Sequence, residues 1–495
     1  MYILAIDQGT SSTKTLIFDE KGQVIAKGYE PLHTLYLKDG FVEQDPNGIY
    51  QNVITSVHKC LKDFIEKGGN TADIKGVGIS NQRETFVIWD KNGHPLHNAV
   101  VWQCKRSIQV CERLKKEGYE AEVKAKTGLI IDPYFSGTKL LWLFENDPSV
   151  KNAILSGEAY FGTVDTWLLY KLTNGQSYFT DYTNASRTLF FNLNTLDWDS
   201  ALLQKWGLEN LNLPALKPSA ANFGESTFEG IFKTPLSISA MIGDSHAAAF
   251  GEGCFSAGTA KATMGTGCSI LMNIGDSPKF SENGLLTTIC WSMKGRVDYA
   301  LEGAIVSCGA TIEWLKNELG LFKDSRETEA MATSVADNNG VYLIPAFSGL
   351  GAPHWDMNRK ASISGLSFDC NKNHIVRAAL ESIPYQIKDV IVAMEQDAKI
   401  PLQALNTDGG ITSNAFIMSF LADLLGISIE NIGIGDVSAL GAAYLAGLQI
   451  GVYKDLDTLK SFNAHKSIYV AESSREGVLS CYEAWTNVVK EGMSK

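Results

Sequence analysis

The sequence predicts an α/β protein built twice over, with a cleft between its two halves. Two strand–turn–strand units carry that expectation. In the first, the apolar run Tyr2 to Ile6 enters Asp7-Gln8-Gly9-Thr10-Ser11-Ser12-Thr13-Lys14 and leaves through Thr15 to Phe18. In the second, Thr259 to Met264 enters Gly265-Thr266-Gly267-Cys268 and leaves through Ser269 to Asn273. Apolar strand, polar glycine turn and apolar strand together make the pattern of a hairpin. Gly265 follows Gly9 by 256 residues (265 − 9), about half of the 495-residue chain. Coincidence is the competing reading, because Gly-Thr turns are common. A third observation sets the class: strands come first, then a helix, then strands, which is not strict βα alternation.

The elements follow in order. After Asp19-Glu20-Lys21-Gly22, a third strand over Gln23 to Ala26 completes an antiparallel meander. Asn47 to Lys67 is predicted helical, with Ile49, Val53, Val57, Leu61 and Ile65 four apart. Lys75 to Ile79 and Thr85 to Trp89 read as strands around a polar turn. Gly243 to Ala249 places an acid at the start of a small-residue helix. Ala304 to Leu319 is predicted helical, ending at Gly320. Asn373 to Ala398 is a long amphipathic helix in which Pro384 predicts a kink. Ser413 to Leu425 ends at Gly426. Ala439 to Gly447 is a small-residue helix that can lie close to another backbone. No long linker interrupts the chain, so the boundary is expected as a short crossing near Gly243 to Gly258, giving domains 1–250 and 251–495.

Composition narrows the function. Lys+Arg 43 against Asp+Glu 55 leaves a net charge of −12, which argues against nucleic acid or an anionic membrane as general partners. No run of about 18 apolar residues suggests a membrane span. Nine scattered cysteines form no CxxC pair, arguing against a zinc ribbon or disulfide framework. With no signal-peptide pattern at the start, a cytoplasmic protein is expected.

Several constellations could carry chemistry. Asp7 with Gly9-Thr10-Ser11-Ser12 and Lys14 offers a carboxylate for a divalent cation, a nest of backbone N–H groups and a positive charge. A polar hairpin turn explains the same residues without function. The partner turn Gly265-Thr266-Gly267 adds donors for a phosphate chain from the other side. Gly409-Gly410, after Asp408, lets backbone approach a ligand at a strand-to-helix junction. Gly76-Val77-Gly78 begins like a dinucleotide fingerprint but lacks the third glycine and the βα turn. Arg83 and Glu84 pair with each other on a surface or bind a polyhydroxy ligand. Trp102 and Tyr134 supply flat walls or simply core. Asp244 is a helix N-cap or a general base for a hydroxyl. His246 reads as a packed or capping histidine.

Taken together, these segments resemble the FGGY carbohydrate kinases. The resemblance runs through Asp7-Gln8-Gly9-Thr10, Gly40 to Pro46, Asn81 to Thr85, Val101-Trp102-Gln103-Cys104, Asp132 to Lys139, Gly162 to Trp167, Asp181 to Arg187, Gly265 to Cys268, Pro345 to Pro353, Asp408-Gly409-Gly410 and Ala439 to Gly447. Tyr134 to Trp142 is similar to one of the family signatures. The resemblance implies two actin-like, ribonuclease-H-type domains and Mg-ATP-dependent phosphoryl transfer to a hydroxyl. It implies Asp244 as general base and Arg83, Glu84 and Tyr134 as polyol ligands, with Trp102 beside them. It implies Asp7 at Mg²⁺ and Thr10, Ser11, Ser12, Lys14 and Thr266 around the phosphates. Gly309, Gly410 and Asn414 would line the nucleotide side, as would Glu313, where the family usually has Gln. A homodimer or higher homo-oligomer is expected.

Within the family, Arg83-Glu84 takes the form found in members that phosphorylate glycerol, and glycerol is the expected substrate. Two departures point elsewhere. Those members usually carry Gln where Ser245 stands and Phe where Ser269 stands. Both changes reduce volume, so a polyol or ketose of four or five carbons is the alternative. The loop Glu225 to Pro235 lacks the family's known effector-binding features. A catalytically weak nucleotide-binding regulator is the reading from another class; the retained Asp7 and Asp244 argue against it.

Overall fold

In the computed structural model, which describes residues 1–431, 433, 435–462, 467–472 and 475–491, the first thirty residues fold as the expected meander. Strands Tyr2–Gln8, Ser12–Asp19 and Val24–Pro31 pair antiparallel in chain order. The hairpin ladder extends past the apolar runs, so Asp7 pairs with Lys14 and Gln8 with Thr13. On the other side of Tyr2–Gln8 lie Ile74–Asn81 and then Leu236–Gly243, both parallel, and Ala220–Ser226 closes the edge antiparallel.

The second sheet repeats this plan. Thr259–Met264 pairs antiparallel with Cys268–Gly275, which pairs antiparallel with Arg296–Ile305. Ala404–Asp408 and then Ile429–Asn431 add in parallel on the other side of Thr259–Met264. Both sheets thus carry two antiparallel strands on one side of their first strand and parallel strands on the other, and the duplication inferred from the two glycine turns holds. Leu286–Met293 and Ser467–Tyr469 extend the second sheet at its edges.

Two helices join the sheets. Asp244–Gly251 follows the first sheet, and Val437–Gln449 returns late in the chain to pack on both that helix and the first sheet. Ile3 and Ile242 from the first sheet share one buried core with Leu271 and Ala300 from the second and with Ala248 and Leu440 from the helices. The small residues of Val437–Gln449 permit this approach: a Cβ on Gly441 would sit 1.8 Å from the Ala247 carbonyl oxygen. A Cβ on Gly78 would sit 2.2 Å from the Ala442 carbonyl oxygen. Gly78 therefore serves helix packing, which explains why its strand resembled a dinucleotide motif without being one.

Two expected helices start later than their periodicity suggested. Ala304 pairs with Ser269 inside the second sheet, and the helix begins only at Gly309–Asn317. The strand wins because its edge is already paired, while Cys308, Gly309 and Ala310 donate N–H groups to the carbonyls of Gly265 and Thr266. Likewise Gly410–Ser413 forms a 3₁₀ turn, and the helix proper is Ala415–Leu425, capped by Asn414. The long helix Lys372–Ala398 runs through Pro384 as one element.

Candidate active site

Parallel strands end at a common edge, where their loops converge. In the first sheet, Tyr2–Gln8 brings Asp7 to that edge, Ile74–Asn81 delivers Gln82, Arg83 and Glu84, and Leu236–Gly243 delivers Asp244. In the second, Thr259–Met264 and Ala404–Asp408 deliver Thr263, Asp408, Gly409 and Gly410. All of these line a single cavity of about 820 Å³ between the sheets. Gly409, at φ 97°, is needed here, since a Cβ would lie 2.3 Å from the Met264 carbonyl oxygen.

Three carboxylates line this cavity from the first sheet: Asp7, Glu84 and Asp244. Burial and the neighbouring Asp244 push the Asp7 carboxyl up to about 6, against a hydrogen bond from Ser80 Oγ at 3.0 Å and the charge of Lys14. Asp244 is also held above its ordinary value, chiefly by burial, with Arg83 opposing and Glu84 adding to the rise. Its side chain is 41% exposed, open to the cavity, and the Ser245 amide fixes Oδ1 at 2.7 Å. Asp244 sits at the first helical position, with Gly243 as the cap, so the N-cap reading does not describe it.

Arg83 and Glu84 are not a surface pair. Both are buried, in a network of four charges that spans the two sheets. Arg83 Nη2 donates to Glu302 Oε1 at 2.8 Å and Nη1 to Oε2 at 3.2 Å. Arg187 Nε donates to Glu84 Oε1 at 2.7 Å, and its Nη1 lies 2.7 Å from Glu302 Oε2. Burial alone would raise the Glu302 carboxyl, yet Arg187 and Arg83 hold it well below the usual carboxylate range. The clamp aims Arg83 Nε at both Glu84 and Asp244, 3.6 Å from each. Arg83 Nη2 also donates to the Tyr134 hydroxyl at 3.0 Å. Trp102 packs edge-on to Tyr134 and donates its indole N–H to Thr10 Oγ1 at 2.8 Å.

The cavity gathers Asp7, Thr10, Lys14, Arg83, Glu84, Trp102, Tyr134, Asp244, Ser245, Ser269 and Gly410. Six other candidates stand outside its lining. Ser11 is exposed, and the carbonyls of Ser11 and Ser12 close turns to Leu32 and Gly9. At the start of the Gly309–Asn317 helix the Gly309 amide donates to the Gly265 carbonyl, and the Thr266 carbonyl accepts from the Cys308 and Ala310 amides. Glu313 accepts from Asn317 at 3.3 Å, and Asn414 accepts from the Ile417 amide as an N-cap. His246 is buried, pushed well below its ordinary value chiefly by burial and so neutral, as a packed histidine should be. Sequence reading missed Glu302, Arg187, Asp436 and Lys261. Asp436 takes Lys14 at 2.9 Å and Lys27 at 2.7 Å.

Residues 2–251 match the N-terminal-domain model of the FGGY family of carbohydrate kinases, and residues 260–450 match its C-terminal-domain model. The chain belongs to this family. The kinase is 43% identical to "Glycerol kinase 2" of Thermotoga maritima over 99% of both chains. It is 44% identical to a glycerol kinase of Thermoanaerobacter sp. strain X514 over 99% of this chain and 98% of that one. The crystal structure of Plasmodium falciparum glycerol kinase with ADP superposes with a TM-score of 0.95 at 35% identity, covering 100% of this chain and 98% of that one. No described helix is long and apolar enough to cross a membrane.

Proposed function

We propose that this kinase transfers the γ-phosphoryl group of ATP to a terminal hydroxyl of glycerol, giving glycerol 3-phosphate. The observation that carries the reading is Asp244: a carboxylate open to the cavity, made more basic by burial, and set 3.6 Å from an arginine clamped by buried carboxylates. The names of the relatives support glycerol as the substrate.

A hydroxyl is a poor nucleophile until its proton is taken. In this reading Asp244 accepts that proton as the substrate oxygen bonds to phosphorus and the bond from phosphorus to the ADP oxygen breaks. Arg83, Glu84 and Tyr134, beside Trp102, hold the polyol hydroxyls. Thr10 and Lys14 face the phosphate chain from the first sheet, with Ser11, Ser12 and Thr266 in the turns behind. Gly410 borders the nucleotide, with Gly309, Glu313 and Asn414 further back. Closing the cleft would keep water from the phosphoryl group.

The residues fit a magnesium ion. Asp7 is a hard oxygen donor whose charge is disfavoured by burial and a second carboxylate, and a divalent cation relieves that strain. Mg²⁺ commonly uses one or two carboxylates and completes its shell with water and phosphate oxygens. Bound there, it supplies charge neutralisation for the phosphate chain. Residues 1–250 would hold magnesium and most of the polyol and phosphate contacts, and 251–495 the nucleotide; the placing of Asp7, Lys14 and Asp244 on the first wall of the cavity and Gly410 on the second supports this reading. The nine cysteines are free thiols, which supports a reducing cytoplasm.

One observation favours a longer substrate of four or five carbons. Ser245 and Ser269 line the cavity with hydroxyls 3.3 Å apart, beside the small side chains of Ala248 and Ala304. The test is kcat/KM for glycerol, erythritol and xylulose, with ADP release as the readout. Glycerol preferred by tenfold or more, about 1.4 kcal/mol, excludes the longer substrate. No activity on any of them overturns the polyol reading.

A further inference from the structure

Among the described residues three cations line the cavity: Lys14, Arg83 and Lys261. Two are already matched. Lys14 is bound to Asp436 at 2.9 Å, and Arg83 is held by Glu302 through two hydrogen bonds. Lys261 differs. It is 1% exposed, its ammonium donates to the Thr263 hydroxyl at 2.9 Å, and no described carboxylate lies within 4 Å of it.

Its position is fixed by the strand. Side chains alternate along Thr259–Met264, so Ala260, Ala262 and Met264 enter the core while Lys261 and Thr263 face the cavity. Thr263 stands in register between Ser269 and Asp408, just before the Gly265-Thr266-Gly267 turn. The charge of Lys261 is felt at Asp244, whose carboxyl it helps to pull down. The ammonium thus shares the cavity with Asp244, within electrostatic reach of it, on the strand that leads into the Gly265-Thr266-Gly267 turn. A buried ammonium with one neutral partner is costly, and an anion arriving beside it removes that cost.

We propose that Lys261 is a further catalytic residue, whose ammonium contacts the phosphoryl group in transfer. The proposal rests on the kinase reading above. As the bond from the substrate oxygen to phosphorus forms and the bond to ADP breaks, the substrate proton goes to Asp244 and Lys261 keeps its own. A lysine suits a moving group because it acts as a point charge rather than a planar fork. Losing one donor of this kind typically costs about 10²–10³ in kcat.

Lys261→Met tests it, since methionine fills similar space without charge. The expected result is a loss of kcat of about 10²–10³. Calorimetry should show glycerol 3-phosphate bound at least tenfold more weakly, with a much smaller change for glycerol. A kcat within threefold of wild type overturns the proposal, as does an equal loss of affinity for both ligands. If the methionine variant melts far below wild type, Lys261→Arg decides. A folded arginine variant with kcat lowered tenfold or more and glycerol affinity near wild type supports phosphoryl contact, and a wild-type kcat overturns it. If wild type phosphorylates no polyol, the kinase reading fails separately. Inorganic phosphate then serves as the probe: weaker binding to Lys261→Met supports the contact, and equal binding overturns it.

Discussion

Replacing Gly441 by alanine tests whether Asp244, the carboxylate proposed to take the proton, is held in place by a backbone contact far from it in sequence. The added Cβ would lie 1.8 Å from the Ala247 carbonyl oxygen, 2.6 Å from its carbon and 3.0 Å from the Gly251 nitrogen. Ordinary contact begins at 3.4 Å, so the helices must part by about 1.6 Å. All three atoms are backbone, so no rotamer change relieves the clash. Ala247 lies one turn beyond Asp244 on the same helix, and the shift is passed to the carboxylate. A misplacement of about 1 Å can cost about 10²-fold in rate. Overpacking of this kind costs about 1–3 kcal/mol of stability. Gly441→Ala should therefore lower kcat/KM about 10²-fold in a coupled ADP-release assay and lower the calorimetric Tm. Gly477→Ala is the control: it lies in the Arg475–Glu491 helix with nothing within 4 Å of its Cβ, and it should keep the wild-type rate while gaining about 0.5–1 kcal/mol. A Gly441→Ala enzyme with wild-type rate and Tm refutes the close approach. A lowered Tm with full rate refutes the transmission to Asp244.

Other outcomes follow from the same geometry. Asp244→Asn keeps the shape but cannot take a proton, so kcat should fall about 10²–10⁴ while ADP binding, measured by calorimetry, is retained. The Asp244 carboxyl is raised above 3.8, and its base form is lost as pH falls. The acid limb of kcat/KM should therefore lie above the range of an ordinary aspartate; a profile flat down to pH 4 would remove Asp244 as the base. Glu302→Ala leaves Glu84 alone to balance the buried Arg83 and Arg187 guanidiniums and should cost about 3–5 kcal/mol in denaturant unfolding. Wild-type stability would show that water or another carboxylate takes over.

What the sequence disclosed about the fold is what short-range pattern can carry. The two hairpins were legible because apolar runs and glycine turns adjoin in the chain. Val437–Gln449 and Asp244–Gly251 were both legible as small-residue helices, although no local feature paired them with each other. The start of Gly309–Asn317 was misplaced because apolar spacing continues from Ala304 across a strand end. Only the pairing of Ala304 with Ser269, a non-local fact, separates the two elements.

The site divides along the same line. Asp7, Gly410 and Asp244 could be singled out because each stands beside a glycine turn or at a helix start. Glu302 and Lys261 lie mid-strand, where a charge reads as an outward-facing residue on an ordinary sheet. What reverses that reading is burial between two domains, which one strand cannot announce. A carboxylate held there would be costly alone; Glu302 persists because two arginines from the first domain meet it. Arg83 in turn has a fixed direction toward Asp244 only because Glu302 holds it from the opposite sheet. Arg83, the arginine proposed to hold the polyol, is therefore oriented by a residue of the other domain, and any motion that separates the sheets would loosen its approach to Asp244. Closure of the cleft would then assemble the proposed substrate site in the same step, as suits a kinase that keeps water from the phosphoryl group until its polyol is bound.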